Sequence, residues 1–242
     1  MTARMTELLL FAKFWEPGRV KTRLAQVLGE AAAAATYRLF VDACLKRLAT
    51  TGERRTVVFW PPEEREVFER VAIHQGWQCQ PQATGDLGER MHAAMSRALD
   101  AGADAVVLLG SDSPNLPVEY VRRAIELLQQ VEIVLGPAAD GGYYLFATRL
   151  NRREFFEGVE WSSSRVLEQT LERIRHLQPR PQWALLPAWY DVDEDADLRR
   201  LWADLRQMPP SELREAALQP LASWLGELYG EVGDSQTPDM AP

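Results

Sequence analysis

The stretch Val106–Leu116, VVLLGSDSPNL, decides the fold class of this 242-residue chain. Its first four residues form an unbroken apolar run, which is typical of a strand buried on both faces of a parallel sheet. Gly, Ser and Asp112 follow directly, and Pro114 and Pro117 prevent the strand from continuing. Ligands in open α/β sheets bind beyond the carboxyl ends of the strands, so Asp112 is expected where a metal-bound phosphate would lie. Capping the helix that begins near Pro117 is the alternative role for this carboxylate.

Strand-like and helix-like segments alternate along the rest of the chain. Apolar or alternating runs predict further strands at 8–12, 56–60, 77–80, 132–136, 142–148 and 183–186, and helical spacing occurs at 31–48, 89–99, 118–130, 165–177 and 196–205. This alternation predicts a three-layer α/β/α sandwich with a mostly parallel central sheet. We expect residues 1–207 to form this domain, and 208–242 to hold one amphipathic helix from Ser211 to Tyr229 and a disordered polar end.

Composition restricts the function classes. The net charge of −8 argues against non-specific nucleic-acid binding, and 46% hydrophobic with 26% charged residues is ordinary for a globular protein. The sequence has no apolar run of the roughly 20 residues that a membrane span needs, and no pattern of a signal peptide. The two cysteines, Cys44 and Cys79, leave a bridge open but fit a reducing compartment better. We therefore expect a cytoplasmic protein without nucleic-acid or membrane partners.

A basic segment follows the first predicted strand. Residues 13–24, KFWEPGRVKTRL, place four cations around a Pro-Gly turn: Lys13, Arg19, Lys21 and Arg23. Lysine gives a compact charge and arginine a planar fork, and both suit phosphate oxygens. The glycine spacing of a Walker loop or of a dinucleotide fingerprint is missing. Phosphate binding is the functional interpretation, and a solvated basic loop is the alternative.

Two glycine-containing segments border predicted elements. In residues 85–91, GDLGERM, Gly85 and the start of a helix could face an anion, with Arg90 lining the site, but Asp86 and Glu89 also have the spacing of a capping box. In residues 136–144, GPAADGGYY, the Asp-Gly-Gly sequence predicts a hairpin turn. The adjacent glycines also allow a ligand to approach the backbone, and Asp140 would lie beside Asp112 if their strands are neighbours.

The most acidic segment is residues 190–198, YDVDEDADL. Alternation places Asp191 and Asp193 on the same side of a strand end, whereas Asp195 and Asp197 suit the start of the last helix of the domain. Carboxylates this dense need a cation or solvent between them. A solvated helix start is the alternative. Trp161, ahead of three serines, is either a core residue or a wall for a flat ligand.

These motifs, in this order, resemble the DUF2064 group of nucleotide-diphospho-sugar transferase-like proteins, which have the glycosyltransferase A (GT-A) fold and include members named as arsenosugar-biosynthesis glycosyltransferases. The matching segments are PGRVKTRL, GDLGERM, GSDSPNLP, GPAADGGYYL, WS and DVDEDADL, which together span about residues 8–205. The chain departs from the pattern at Trp15, Ser163 and Glu194, outside the implied phosphate and metal ligands.

The resemblance implies a metal-dependent glycosyltransferase that uses a nucleotide-sugar donor, Mg²⁺ or Mn²⁺, and a small-molecule acceptor. The implied metal ligands are Asp112 and Asp193, and the implied catalytic residues are Asp140 and Asp193. The nucleotide or phosphate contacts that we expect are Lys13, Lys21, Arg23, Gly85, Arg90, Ser111, Gly141 and Gly142. A nucleotidyltransferase that uses a nucleoside triphosphate, as in cofactor-biosynthesis guanylyltransferases, and a non-catalytic nucleotide-binding module are the alternatives.

Overall fold

The computed structural model describes residues 5–209 and 217–230. Its seven strands are β1 (Thr6–Lys13), β2 (Arg54–Trp60), β3 (Gln78–Pro81), β4 (Ala105–Gly110), β5 (Ile133–Pro137), β6 (Tyr143–Thr148) and β7 (Trp183–Leu185). The α-helices in these ranges are α1 (Thr22–Leu28), α2 (Glu30–Arg47), α3 (Arg65–Ile73), α4 (Leu87–Asp100), α5 (Val118–Leu127), α6 (Val166–His176), α7 (Asp195–Gln207) and α8 (Gln219–Tyr229). Short 3-10 helices cover Pro62–Glu64 and Arg153–Phe155.

The strands form one sheet in the order β3-β2-β1-β4-β6-β5-β7. All neighbouring strands are parallel except β6, which pairs antiparallel with β4 and with β5. The Asp-Gly-Gly sequence forms the β5–β6 turn, as predicted. Because β6 lies between β4 and β5 and runs against them, this turn lies at the same sheet edge as the carboxyl end of β4.

The sheet is covered on both faces, which confirms the predicted α/β/α sandwich. The core consists of two apolar clusters, and alternate residues of β1 belong to different ones: Leu8 and Leu10 to the first, and Leu9 to the second. The first cluster includes buried residues of α2, α3, α5, α7 and α8, and the second includes those of α4 and α6. Residues 106–109 of β4 are at most 3% exposed, so the apolar run is buried on both faces as its sequence predicts.

Helix α8 packs on the same layer as α2 and α7. Leu225 is fully buried in the larger apolar cluster, the Trp224 indole donates a 2.8 Å hydrogen bond to Thr36 Oγ1, and Tyr229 donates a 2.7 Å bond to Asp195 Oδ1. The predicted helix began at Ser211, and residues 210–216 and 231–242, including the polar end, lie outside the described residues. Within the described ranges, none of the helices has the length and apolar composition of a membrane span.

Candidate active site

A cleft of about 600 Å³ lies along the carboxyl edge of the sheet. It is centred between β1 and β4, where the strand order reverses direction, which is the expected ligand site of an open α/β sheet. Eight of the eleven predicted site residues line it: Lys13, Lys21, Arg90, Ser111, Asp112, Asp140, Gly142 and Asp193. Motifs that are far apart in the chain therefore meet in one place.

Asp112 lies in the loop after β4, which hydrogen bonds join to other parts of the protein. The buried Ser111 hydroxyl is 2.7 Å from the Tyr37 hydroxyl, Arg47 donates a 2.6 Å hydrogen bond to the Pro114 carbonyl, and the Asp112 carbonyl accepts a 2.9 Å bond from Val192 N–H. Pro117 occupies the N-cap position of α5, so the capping alternative for Asp112 is wrong. The carboxylate is instead 44% exposed in the cleft.

The Lys21 ammonium is buried beneath the carboxylates. Its Nζ lies 2.5 Å from Asp112 Oδ1, 2.8 Å from Asp193 Oδ1 and 2.7 Å from the Val192 carbonyl, and its side chain is only 4% exposed. These three oxygen contacts match the three N–H donors of an ammonium group. Burial lowers the pKa of Lys21, but the two carboxylates outweigh that effect and raise the pKa above its usual value.

The backbone of Lys21 is unusual. It has φ 46° and ψ 46°, a left-handed conformation that non-glycine residues rarely adopt, directly before α1. Strained residues of this kind cluster at functional sites, where surrounding contacts hold them. The contact with Asp193 also joins residues 172 positions apart, so Lys21 connects the β1–α1 loop to the segment before α7.

Asp191 and Asp193 complete the acidic side of the cleft. The Ser113 hydroxyl lies 2.5 Å from Asp191 Oδ1. Burial, with added repulsion from Asp112, Asp140 and Asp193, raises the pKa of Asp191 to about 6 although the Ser113 hydrogen bond lowers it. Beyond these two residues, Glu194 and Asp197 form a capping box for α7, as expected of a helix start.

The Asp140–Gly142 turn faces this cluster from β6. Asp140 Oδ1 accepts a 2.9 Å hydrogen bond from Gly142 N–H, which fixes the carboxylate at the cleft. Gly141 points away from the cleft and has φ +92°. A Cβ there would lie 2.0 Å from the Ser164 carbonyl oxygen, so Gly141 permits contact between two protein segments rather than with a ligand.

The Gly85–Met91 segment also has a structural role. Asp86 and Glu89 form the predicted capping box of α4. Arg90 donates a 2.8 Å hydrogen bond to the Gly85 carbonyl and lies over the Trp60 ring while lining the cleft. Gly85 itself is outside the lining, so its predicted ligand contact lacks support from its position.

Gly88 lets Trp161 come close to α4. A Cβ at Gly88 would lie 2.7 Å from the Trp161 ring. Trp161 packs against Phe156 and lines the cleft, so it is both a core residue and a wall. Arg165 holds the N-cap position of α6, and its backbone N–H donates a 3.3 Å hydrogen bond to the Ser163 hydroxyl.

The basic segment divides into cleft and surface residues. Lys13 and Arg19 line the cleft, whereas Arg23 is 69% exposed and pairs with Glu194 at 3.2 Å outside the lining. Arg19 and Asp191 belong to the sequence motifs described above, but neither was predicted to be a site residue. Gln82 and Tyr37, which also line the cleft, carry no local sequence signal.

The donor set suits a hard divalent cation. Four carboxylates, which are ligands that Mg²⁺ and Mn²⁺ prefer, line one side of the cleft: Asp112, Asp140, Asp191 and Asp193. The positively charged Lys21 ammonium already lies between two of them, Asp112 and Asp193. In the part of the chain that the structure describes, no three acidic, histidine or cysteine residues form a ready-made metal centre. Ligand oxygens would have to complete the coordination.

Known proteins support the fold and the family. The family model described as "Uncharacterized protein conserved in bacteria (DUF2064)" matches residues 44–163. A candidate nucleotide-diphospho-sugar transferase from Desulfovibrio desulfuricans G20 is 36% identical over 94% of this chain and 99% of that chain, with a TM-score of 0.81. No curated protein matches.

More distant solved structures share the fold alone. A cytidylyltransferase from Leptospira borgpetersenii serovar Hardjo-bovis (strain JB197) is 16% identical over 98% of this chain and 99% of that chain, with a TM-score of 0.58. The 4-diphosphocytidyl-2C-methyl-D-erythritol synthase from Anaerococcus prevotii DSM 20548 is 10% identical over 84% and 99%, with a TM-score of 0.54. The chain thus belongs to the DUF2064 family and has the fold of nucleotide-diphospho-sugar transferases.

Proposed function

We propose that this protein is a metal-dependent glycosyltransferase that moves a sugar from a nucleotide-diphosphate donor to a small-molecule acceptor. The observation that carries the proposal is the convergence of Asp112, Asp140 and Asp193 with three of the four cations of the basic segment in one cleft at the β1/β4 edge. The 36% identical relative, a candidate nucleotide-diphospho-sugar transferase, supports a transferase that uses a nucleotide.

The cleft offers groups for each part of the donor. Lys13, Arg19 and Arg90 would contact the diphosphate, because these three cationic residues line the cleft and Lys21 is already paired. Asp112 and Asp193 would hold Mg²⁺ or Mn²⁺ through the oxygens that Lys21 leaves free. The ion, when bound, supplies positive charge for the nucleoside diphosphate as it leaves.

Asp140 is the better candidate for the base that accepts the proton of the acceptor hydroxyl. Its carboxylate takes one hydrogen bond from Gly142 N–H and keeps a second oxygen for the acceptor. Asp193, the other candidate, is tied to Lys21 at 2.8 Å and is better suited to hold the ion. The proposal therefore separates a metal-holding pair from a proton-accepting residue.

Nucleotidyl transfer is the second candidate, because the chain shares its fold with a cytidylyltransferase. Product analysis distinguishes the two. The full-length protein is incubated with a panel of sugar nucleotides or nucleoside triphosphates, candidate acceptors and Mn²⁺, and the products are identified by mass spectrometry. Nucleoside diphosphate from a sugar nucleotide supports glycosyl transfer, whereas pyrophosphate from a triphosphate supports nucleotidyl transfer. Nucleotide binding without turnover of any donor would favour a binding module.

Asp112→Asn tests the central residue of the site. Loss of a carboxylate that holds the ion should lower turnover by about 100-fold or more, on the scale of removing one electrostatic group from an active site. Asp100→Asn, which changes an exposed carboxylate at the far end of α4, is the matched control and should keep full activity. Unchanged metal-dependent turnover in Asp112→Asn would exclude the proposed site.

A further inference from the structure

Lys21 has no donor left for a phosphate, although the sequence places it in a phosphate-binding motif. Its three oxygen contacts are all to the protein, at 2.5–2.8 Å. Beneath it, the rings of Tyr37 and Phe40 lie 5.8 and 5.7 Å from Nζ and close the ammonium off from solvent. Two carboxylates, one carbonyl and two aromatic faces are a complete cation site that the chain fills with its own side chain.

The same contacts limit what Asp112 and Asp193 can offer to a divalent ion. The Oδ1 atom of each carboxylate contacts Lys21 Nζ. The side chains of Asp112 and Asp193 are nearly half exposed, at 44% and 47%. The described residues supply no contact to the second oxygen of either group, so each can give one ligand. Two single oxygens beside a positive charge form a weak site for a doubly charged ion, which needs about six oxygen ligands.

We propose that Lys21 is a positioning residue: a resident counter-ion that arranges Asp112 and Asp193 and keeps a divalent ion from binding until a diphosphate arrives with it. The proposal rests on the proposed function, which supplies the diphosphate. The ion then enters as a metal–diphosphate complex, with phosphate oxygens completing its coordination. Without Lys21, the carboxylates around it would repel one another and would attract a free ion instead.

Mn²⁺ affinity of the full-length protein tests this without any turnover. Free Mn²⁺ is measured by electron paramagnetic resonance, with and without inorganic pyrophosphate, against protein-free pyrophosphate as the blank. Lys21→Met removes the charge, Lys21→Arg keeps it, and Lys46→Met removes a lysine charge from the exposed surface of α2. The comparison therefore isolates the ammonium in the cleft from net charge.

Lys21→Met should bind Mn²⁺ alone about tenfold more tightly than the wild type, since a unit charge next to the ion is gone. Lys21→Arg and Lys46→Met should stay within about threefold of the wild type, because each keeps a charge beside the carboxylates. Pyrophosphate should raise the Mn²⁺ affinity of the wild type by a larger factor than that of Lys21→Met. Affinity of Lys21→Met equal to or below the wild type, equal tightening by Lys21→Arg, or no effect of pyrophosphate on the wild type would overturn the proposal.

Folding of Lys21→Met is a second readout. If the unpaired carboxylates unfold this variant, saturating Mn²⁺ should raise its melting temperature more than that of the wild type, and a variant that stays unfolded in Mn²⁺ contradicts the proposal. These measurements are independent of the proposed function. Failure to turn over any donor would reject the transferase and leave the Mn²⁺ comparison standing, whereas an active transferase with unchanged Mn²⁺ affinities would reject only the role of Lys21.

Discussion

Replacing Gly141 by alanine should destabilise the protein more than the same replacement at Gly102. Both glycines have nearly the same φ, +92° and +90°. They differ in surroundings: a Cβ at Gly141 would lie 2.0 Å from the Ser164 carbonyl oxygen, whereas a Cβ at Gly102 would meet nothing within 4 Å. The pair therefore separates steric overlap from backbone strain.

The expected magnitudes follow from those two effects. An L-residue at such a φ costs about 1 kcal/mol, partly offset because alanine lowers the entropy of the unfolded chain, so Gly102→Ala should cost about 1 kcal/mol or less. Overlap with a backbone atom adds about 1–3 kcal/mol, as for overpacking, so Gly141→Ala should cost about 2–4 kcal/mol. Neither the turn nor the segment before α6 can relieve the overlap by rotating a side chain, because the atom that is hit is a carbonyl oxygen.

Equilibrium unfolding in urea, followed by circular dichroism, measures both values by linear extrapolation. The free energy of unfolding should fall clearly further for Gly141→Ala than for Gly102→Ala, with similar m-values. Two equal losses, within about 0.5 kcal/mol, would show that Ser164 moves away freely and that the close approach is not needed for stability. Gly141→Ala should also reduce turnover, because the shifted turn carries Asp140 out of position.

Two further changes test the acidic cluster and the last helix. Burial raises the pKa of Asp191 to about 6, so the folded state binds this proton more tightly than the unfolded state does. As the pH rises from about 4 to 6, this group therefore lowers the free energy of unfolding, by about 3 kcal/mol in total. In Asp191→Asn, metal-free urea unfolding at several pH values should show a smaller fall, and an unchanged pH profile would contradict the assignment. Leu225→Ala should cost about 2–5 kcal/mol because its side chain is fully buried in the main core, whereas Val27→Ala, 63% exposed, should cost about 0.5 kcal/mol or less. Equal losses would indicate that α8 is an appendage rather than a part of the domain.

The periodic features of the sequence predicted the fold because they are local. The apolar run of β4 and the Asp-Gly-Gly turn have one common structural interpretation each, and the structure confirms both. Helix α1, which overlaps the basic segment, was not predicted as a helix of its own. Its residues belong to a long run of helix formers that Gly29, at φ +81°, divides into α1 and α2. The antiparallel direction of β6 follows from its short hairpin, but its insertion between β4 and β5 depends on non-local pairing.

Site residues were harder to assign than site location. The sequence predicted Asp140 beside Asp112 on the condition that their strands are neighbours. In the sheet β6 lies between β4 and β5, and the cleft still contains both carboxylates because the β5–β6 turn is at the same edge. The role of Lys21 could not be predicted in this way, because its partner Asp193 is 172 residues away and a charge pattern does not show which charges neutralise each other. Tyr37 lacked any signal, since a tyrosine on the buried face of a helix is ordinarily a core residue.

Several motif residues have a structural role, because they contact other parts of the protein. Gly88 makes room for Trp161, Gly141 makes room for Ser164, and Lys21 neutralises carboxylates. Gly88 in α4 and Gly141 in the β5–β6 turn both pack against the segment between β6 and α6, and Lys21 joins the loops after β1 and β4 to the segment before α7. The three residues therefore set the shape and charge of the cleft before any donor binds. Substituting them should therefore change stability or ion affinity first. Changes confined to turnover are expected only from groups that are exposed in the cleft, of which Asp140 is the clearest.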